Sequence, residues 1–285
     1  MNKCDLLKLY AEGNRDFSGV DLNGADLSGV SLIGVNLRKA NLIGVNFSRA
    51  TLTNSDLSYA QLNWANMNYA KISSAKLIDA DLTKANLLGA LMLKCKLPGA
   101  RLSGANLRDV NLRSANLREV NFSSAFLQRI NLRSANLSGV NFNWANLEEA
   151  RLSGAKLYGA SFYGANFSRT FLRNLDLSGA DLQGVDFTQA RMGGANLEGA
   201  NLVAADLREA HLRLVNLKGA DLTGANLSKV YLDQTNMTWV NLTKADLTDV
   251  DLSKATIKGA TFNSAELTNT IFPPDWANSD LRIAS

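Results

Sequence analysis

The sequence is short of the residues that build most catalytic and metal sites. Among 285 residues it has one histidine, His211, two cysteines and three prolines. A single histidine cannot form a histidine pair for metal binding or acid-base chemistry, and no acid or nucleophile is identifiably paired with it. The GxGxxG and P-loop patterns of phosphate-binding loops do not occur. We therefore expect no enzyme activity, no metal, no cofactor and no small-molecule substrate.

The two cysteines, Cys4 and Cys95, lie far apart and match no redox or zinc spacing. We expect both to be small buried apolar residues rather than a disulfide. Long apolar runs are missing too, since nowhere do 18 apolar residues follow one another. The N-terminal segment lacks the apolar stretch of a signal peptide. These features predict a cytoplasmic protein that does not contact membranes.

What the sequence has is a strict five-residue period. All 52 positions whose numbers end in 2 or 7, from Phe17 to Phe272, are Leu, Phe, Met or Ile. Two places before them the residue is mostly small and apolar, Ala in 32 of the 52 cases and Val in 12. Asn or Asp mostly separates the two, and two polar or glycine residues complete the unit.

This period fits neither an α-helix nor a straight strand. Five residues advance a helix by about 500°, so the leucines would spiral around all sides. In a strand an odd shift sends successive leucines to opposite faces. The chain must therefore turn a corner in every unit, with three residues as a short strand and two as the corner. Glycine occupies the second corner position in 19 of 21 cases, as a turn with positive φ requires.

Corners of about 90° close one coil after four units, or 20 residues, and give about 13 coils. Units such as ADLSG at 25–29 and ADLTG at 220–224 resemble the A(D/N)LXX pattern of the pentapeptide repeat family. The resemblance implies an all-β solenoid, a right-handed quadrilateral β-helix, over residues 15–272. Spacing alone does not decide the hand of the coil.

Both ends of a solenoid need caps. In residues 1–14 the pattern predicts a capping helix at about 3–12, with Leu6, Leu7 and Tyr10 on one side and Gly13 at its C-terminal end. Residues 273–285 break the repeat. There the prolines stop further pairing, while Trp276 and Leu281 are candidates to cover the last coil. The expected state is a monomer or a weak dimer.

Four irregular inward residues, Ser55, Cys95, Leu175 and Thr235, fall in one column when the chain is folded at 20 residues per coil. Local repacking explains them more simply than a function does. The bulky Leu175 is expected to push its face outward.

One face departs from the others: its outward column has less Asn and Asp, and this column together with the two corner positions beside it carries seven bases and no acid between positions 91 and 214. Over about six coils it predicts a ladder of positive charge. The candidate interaction face consists of Lys94, Arg113, Arg133, Arg151, Phe171, Arg173, Arg191, His211, Arg213 and Tyr231.

The leading functional hypothesis is a noncatalytic rod that presents this face to a protein partner. Binding of nucleic acid through the same bases is the alternative. A solvated edge that only prevents lateral aggregation remains open as well. Some members of the resembled family imitate duplex DNA and protect gyrase. Mimicry needs a strongly negative surface, however, and the net charge here is +4.

Overall fold

The computed structural model describes residues 1–274 and Trp276. The chain divides into two compact units, Met1–Asn146 and Leu147–Ser285. The first unit begins with a helix, α1, at Lys3–Ala11. Asn2 caps its N-terminus by accepting a hydrogen bond from the Asp5 N–H at 2.9 Å. The chain leaves α1 through Gly13, whose φ of +97° suits glycine. The predicted helix is confirmed.

Helix α1 packs on the first coils of its unit. Leu6 is fully buried. The Tyr10 hydroxyl donates to the Ile33 carbonyl at 3.2 Å, and the N-terminal amine donates to the Asp21 carbonyl at 3.1 Å. The Arg15 guanidinium lies 3.9 Å from the centre of the Tyr10 ring. These contacts cover apolar residues at the start of the coil, which is what a cap must do.

Within each unit the backbone forms ladders of parallel bridges between residues 20 apart. Examples are Asp16↔Asn36 and Ser31↔Thr51 in the first unit and Asp176↔Asn196 in the second. Four bridge positions occur in each 20-residue coil, at the outward residue of every five-residue unit. Each bridge is one residue long, shorter than the three-residue strand expected, because turns flank it on both sides. The repeats thus form a β-solenoid, in which the described residues have no extended strands.

The bridge hydrogen bonds join each coil to its neighbours on both sides. The Leu37 N–H donates to the Asp56 carbonyl at 2.7 Å, and the Asp56 N–H donates to the Val35 carbonyl at 2.9 Å. In both units the inward residues are mostly leucine, with alanine or valine two places before each leucine. These side chains are buried and form the core. Each five-residue unit therefore does two things: its backbone N–H and C=O groups bond to neighbouring coils, and its inward side chains fill the interior.

The cysteine prediction is right for Cys95 and wrong for Cys4. Cys95 is fully buried, and burial raises the pKa of its thiol to about 12. Cys4 is exposed on α1. It precedes the buried Leu6 by two residues, which is about 200° around the helix, so it faces away from the coils.

Polar residues in the irregular inward column are satisfied by the preceding coil. The Ser55 and Thr235 hydroxyls donate to the carbonyls of Leu32 and Leu212 at 3.1 and 2.8 Å. The Cys95 Sγ lies 3.0 Å from the Ile72 carbonyl. Each of these contacts joins residues 23 apart in sequence. The sequence pattern did not predict this shared carbonyl acceptor.

Leu175 fills the same column with a larger apolar side chain. It is buried, but one coil earlier Ala155 and Leu157 are 9% and 6% exposed, where inward residues are generally 0 to 2% exposed. Among the described residues no bridge joins Lys156 to Asp176, although Asp176↔Asn196 is formed on the other side. Such local opening is the expected consequence of an oversized inward side chain.

At the C-terminal end the Trp276 ring stacks on Phe272 with 4.0 Å between centroids. This contact is consistent with a cap on the last inward aromatic residue. Leu281, the other residue predicted to cover the end, lies outside the described residues.

Candidate interaction surface

The outward asparagines and aspartates have a structural task in both units. Their side-chain oxygen accepts a hydrogen bond from the backbone N–H two residues later, at the first corner position. In the second unit Ser178 N–H donates to Asp176 Oδ1 at 3.1 Å, and Lys218 N–H donates to Asn216 Oδ1 at 3.2 Å. This local bond explains the preference of the repeat for Asn and Asp.

Where the outward residue is an aspartate, the same bond stabilises its charge. The Ser178 hydroxyl, followed by the Ser178 N–H, holds the pKa of Asp176 below its ordinary value. Asn196 adds a side-chain bond from the next coil, with its Nδ2 at 3.1 Å from Asp176 Oδ1. Asn216 and Asn236 continue this chain of amides at 3.0 and 3.1 Å.

On one face of the second unit, several outward residues are not Asn or Asp. Its outward residues are bridged in the order Arg151, Phe171, Arg191, His211 and Tyr231. We call these five residues the planar column, because every member carries a flat terminal group. The Arg151 and Arg191 guanidinium carbons lie 5.9 and 5.0 Å from the Phe171 ring centre.

The last two members of the planar column, His211 and Tyr231, are stacked as well. The rings of His211 and Tyr231 are 4.6 Å apart and nearly parallel, at 5°. Arg151 and Arg191 therefore both lie against the Phe171 ring. The His211 and Tyr231 rings cover one face of each other. What the column offers to solvent is chiefly the edges of these groups, which carry N–H and O–H donors.

A depression of about 410 Å³ lies beside the planar column. It is lined by Arg173, Asn174, Arg191, Gly193, Gly194, His211, Arg213 and Leu214. The arginines, His211 and Leu214 are exposed, and Leu214 keeps 53% of its surface. The lining thus combines several positive groups with one exposed apolar side chain.

An acid closes the basic run in the next coil. The Arg213 Nε lies 3.2 Å from Asp233 Oδ2, and Lys254 Nζ lies 3.3 Å from Asp233 Oδ1. Arg151, Arg173 and Arg191 have no carboxylate within ion-pair distance in the part of the chain that is described. Arg213 is therefore partly neutralised, whereas these three arginines keep their full positive charge.

The first unit holds the other three predicted bases. Lys94, Arg113 and Arg133 stand at corners of consecutive coils, since the Lys94 N–H donates to the Arg113 carbonyl at 3.1 Å and the Ser114 N–H to the Arg133 carbonyl at 2.9 Å. In this unit the outward residues before Arg113 and Arg133 are asparagines. The Arg113 and Arg133 N–H groups donate to Oδ1 of Asn111 and Asn131. The corners of this unit therefore differ from those beside the planar column.

The structure thus brings seven of the ten predicted residues together in the second unit and places three in the first. Sequence reasoning missed Asp233, because it lies one coil beyond the run of bases. It also missed Gly193, one of only two glycines outside the second corner position. That exception was the available signal.

The described residues were also compared with the requirements of a metal site and of a membrane span. No group of three or more histidine, cysteine, aspartate or glutamate side chains is arranged to hold a metal ion there. Helix α1, with nine residues, is too short to cross a bilayer, and the described part of the chain has no other helix that could.

The repeat itself identifies the family. The family model described as Pentapeptide repeats (8 copies) matches segments at 16–49, 31–68, 46–83, 75–114, 115–154, 155–194, 190–228, 200–238 and 235–272. These segments cover most of the chain, and the chain belongs to the pentapeptide repeat family. No curated protein matches it.

Several solved structures of pentapeptide repeat proteins are similar. HetL of the cyanobacterium Nostoc, involved in the regulation of heterocyst differentiation, is 29% identical over 96% of this chain and 98% of its own, with a TM-score of 0.34. A protein of the Arabidopsis thaliana thylakoid lumen is 29% identical over 38% of this chain and 72% of its own, with a TM-score of 0.30. QnrB1, a plasmid-mediated fluoroquinolone resistance protein, is 17% identical over 83% and 93%, also at 0.30.

Proposed function

We propose that this protein is a noncatalytic interaction module that binds an acidic protein surface through the planar column and the adjoining depression. The observation that carries the proposal is the set of exposed arginines, Arg151, Arg173 and Arg191, on one face of the second unit. The guanidinium groups of Arg151 and Arg191 lie 5.9 and 5.0 Å from the centre of the Phe171 ring. Ordered guanidinium groups lose less freedom on binding carboxylates than lysines on a flexible surface do.

A protein partner is favoured over single-stranded nucleic acid by how the planar column uses its rings. Proteins that bind single strands offer open aromatic faces on which bases stack. Here the faces of Phe171 are covered by Arg151 and Arg191, and His211 lies against Tyr231. The exposed donor edges suit carboxylates better than bases. Imitation of duplex DNA is disfavoured by the net charge of +4.

Pull-downs from a cell extract test this proposal. A variant with Arg151→Glu, Arg173→Glu and Arg191→Glu is compared with the native protein and with a control carrying Lys156→Glu, Lys244→Glu and Lys258→Glu. The control makes the same change of charge on other faces of the same unit. We expect partners that the native and control proteins retain and the arginine variant loses. Identical partners for all three proteins would refute the role of this face.

A second measurement separates protein from nucleic acid. Purified protein is titrated with single-stranded DNA, double-stranded DNA and RNA at several salt concentrations. We expect no tight binding that the native and control proteins show and the arginine variant loses. Tight, salt-dependent binding that requires these arginines would favour the nucleic-acid alternative. Inhibition of purified gyrase in a supercoiling assay would instead support DNA mimicry.

We propose a right-handed, four-sided coil with about 13 turns, as the family resemblance implies. We also propose a cytoplasmic protein that is a monomer or a weak dimer, which sedimentation of the native chain would check.

A further inference from the structure

The corners beside the planar column have backbone donors that an outward Asn or Asp satisfies at most other corners of the second unit. Elsewhere in the second unit the outward Asn or Asp accepts from the N–H two residues later, as Thr188 N–H does to Asp186 Oδ1 at 2.8 Å. Phe171, Arg191 and His211 carry no such oxygen. Accordingly, the N–H groups of Arg173, Gly193 and Arg213 have no acceptor among residues 1–274 and Trp276. Three successive coils thus leave the same donor unused.

Gly193 is the most informative of the three positions. Its φ is not positive, so the backbone does not require glycine there. A Cβ added at this position would come no closer than 3.5 Å, to the Arg213 carbonyl, which is an ordinary contact. Neither conformation nor packing explains the glycine. Its missing side chain leaves room in the depression, which Gly193 lines.

The groups around this opening have matching chemistry. Gly193 lines the depression together with Arg173, Arg191, His211 and Arg213. The guanidinium groups of Arg173 and Arg191 have no carboxylate partner in the described chain, and Arg213 shares Asp233 with Lys254. A backbone donor combined with several guanidinium groups is a typical setting for an oxyanion with more than one charged oxygen.

We propose that the depression at Gly193 binds a phosphate group. One phosphate oxygen takes the place that Asn or Asp Oδ1 holds at the other corners and accepts from the Gly193 N–H. Arg173 and Arg191 contact the remaining oxygens. The site deepens the proposed function, since it lies on the same face and identifies phosphorylated acidic segments as its partners. Free phosphate offers the same chemistry, so the experiment must separate the two sources.

Nuclear magnetic resonance titration of the ¹⁵N-labelled chain tests the site directly. Inorganic phosphate is added against sodium chloride at equal ionic strength, and the Gly193 amide signal is followed. We expect a saturable shift with phosphate and none with chloride. An unchanged Gly193 signal, or the same shift with chloride, would overturn the proposal.

Three variants sharpen the result. Arg191→Asn supplies the internal oxygen that the repeat normally has, so it should weaken phosphate binding at least about tenfold while preserving the fold. Arg191→Met removes the charge without supplying the oxygen and should weaken it less. Lys156→Asn makes the same exchange on a neighbouring face and should bind as the native chain does. Equal binding by Arg191→Asn and native protein would contradict the site.

Arg173→Met provides an independent check if Arg191→Asn fails to fold, and it too should weaken binding. A phosphoserine peptide and its unphosphorylated form then distinguish the source. Tighter binding of the phosphopeptide than of inorganic phosphate supports a partner chain, whereas tighter binding of inorganic phosphate supports a free ligand in the same site. Equal binding of both peptides contradicts phosphate recognition. Because these titrations use purified protein, they can succeed even if the pull-downs fail.

Discussion

At the scale of the residue, the second corner position governs the choice of amino acid. Nineteen of the glycines stand there, and all have positive φ. Yet among residues 1–274 and Trp276, 31 residues other than glycine adopt positive φ as well, between 51° and 62°. Side chains with a Cβ are strained in this region by roughly 1–2 kcal/mol each. The repeat therefore tolerates strain at many corners, and glycine marks the corners where it is relieved.

A matched pair of substitutions measures this strain. Gly224 and Ala204 occupy the same corner of consecutive coils, with φ of 65° and 55°. An added Cβ at Gly224 would meet no atom within 4 Å, so Gly224→Ala tests the backbone alone. We expect it to lower the free energy of unfolding by about 1 kcal/mol and Ala204→Gly to raise it by about 0.5–1 kcal/mol. Urea unfolding checks both values, and a stabilising Gly224→Ala would contradict this account.

At the scale of the element, one 20-residue coil carries four bridge positions, and its inward residues must match in size. Leu175 exceeds the Ala or Val of its position, and the bridge between Lys156 and Asp176 is missing from the described ladder. The neighbouring bridge of Asp176 to Asn196 is intact, so the ladder is interrupted towards the preceding coil. A close-packed interior transmits the strain of an oversized side chain to the backbone around it.

Substitution of Leu175 should therefore cost less than substitution of an ordinary inward leucine. We expect Leu197→Ala, at a fully buried position in an intact coil, to lower the free energy of unfolding by about 2–5 kcal/mol. Leu175→Ala should cost less than about 1 kcal/mol, because it also relieves overpacking. Hydrogen exchange at the Asp176 amide should slow in this variant. Equal destabilisation by the two substitutions would show that Leu175 fits its site.

At the scale of the whole molecule, the five-residue period predicted the inward leucines, the glycine corners and the 20-residue register, since each follows from covalent geometry. The unused N–H of Gly193 and the pairing of Arg213 with Asp233 could not be predicted in the same way. They depend on contacts between coils, and the composition of one unit does not reveal them. Cys4 was misjudged because apolar residues were expected to be buried without regard to helix phase.

The outward carboxylates make stability depend on acid pH. The hydroxyls of Ser28, Ser178 and Ser253 are the largest causes that hold the pKa values of Asp26, Asp176 and Asp251 below the ordinary 3.8. A carboxyl whose pKa is lower in the folded state contributes stability that is complete above its unfolded pKa and is lost as pH falls through the folded value. We therefore expect unfolding midpoints to be constant between about pH 7 and 5 and to fall below about pH 4.

Replacement of these three aspartates by asparagine isolates their share of the acid effect. Asparagine keeps the oxygen that accepts the corner N–H, as Asn216 does for Lys218, but it does not titrate. The triple variant Asp26→Asn, Asp176→Asn and Asp251→Asn should fold as the native chain does and lose less stability in acid. Urea midpoints measured across this pH range provide the comparison. If native and variant curves fall in parallel below about pH 4, these carboxylates are not the groups responsible.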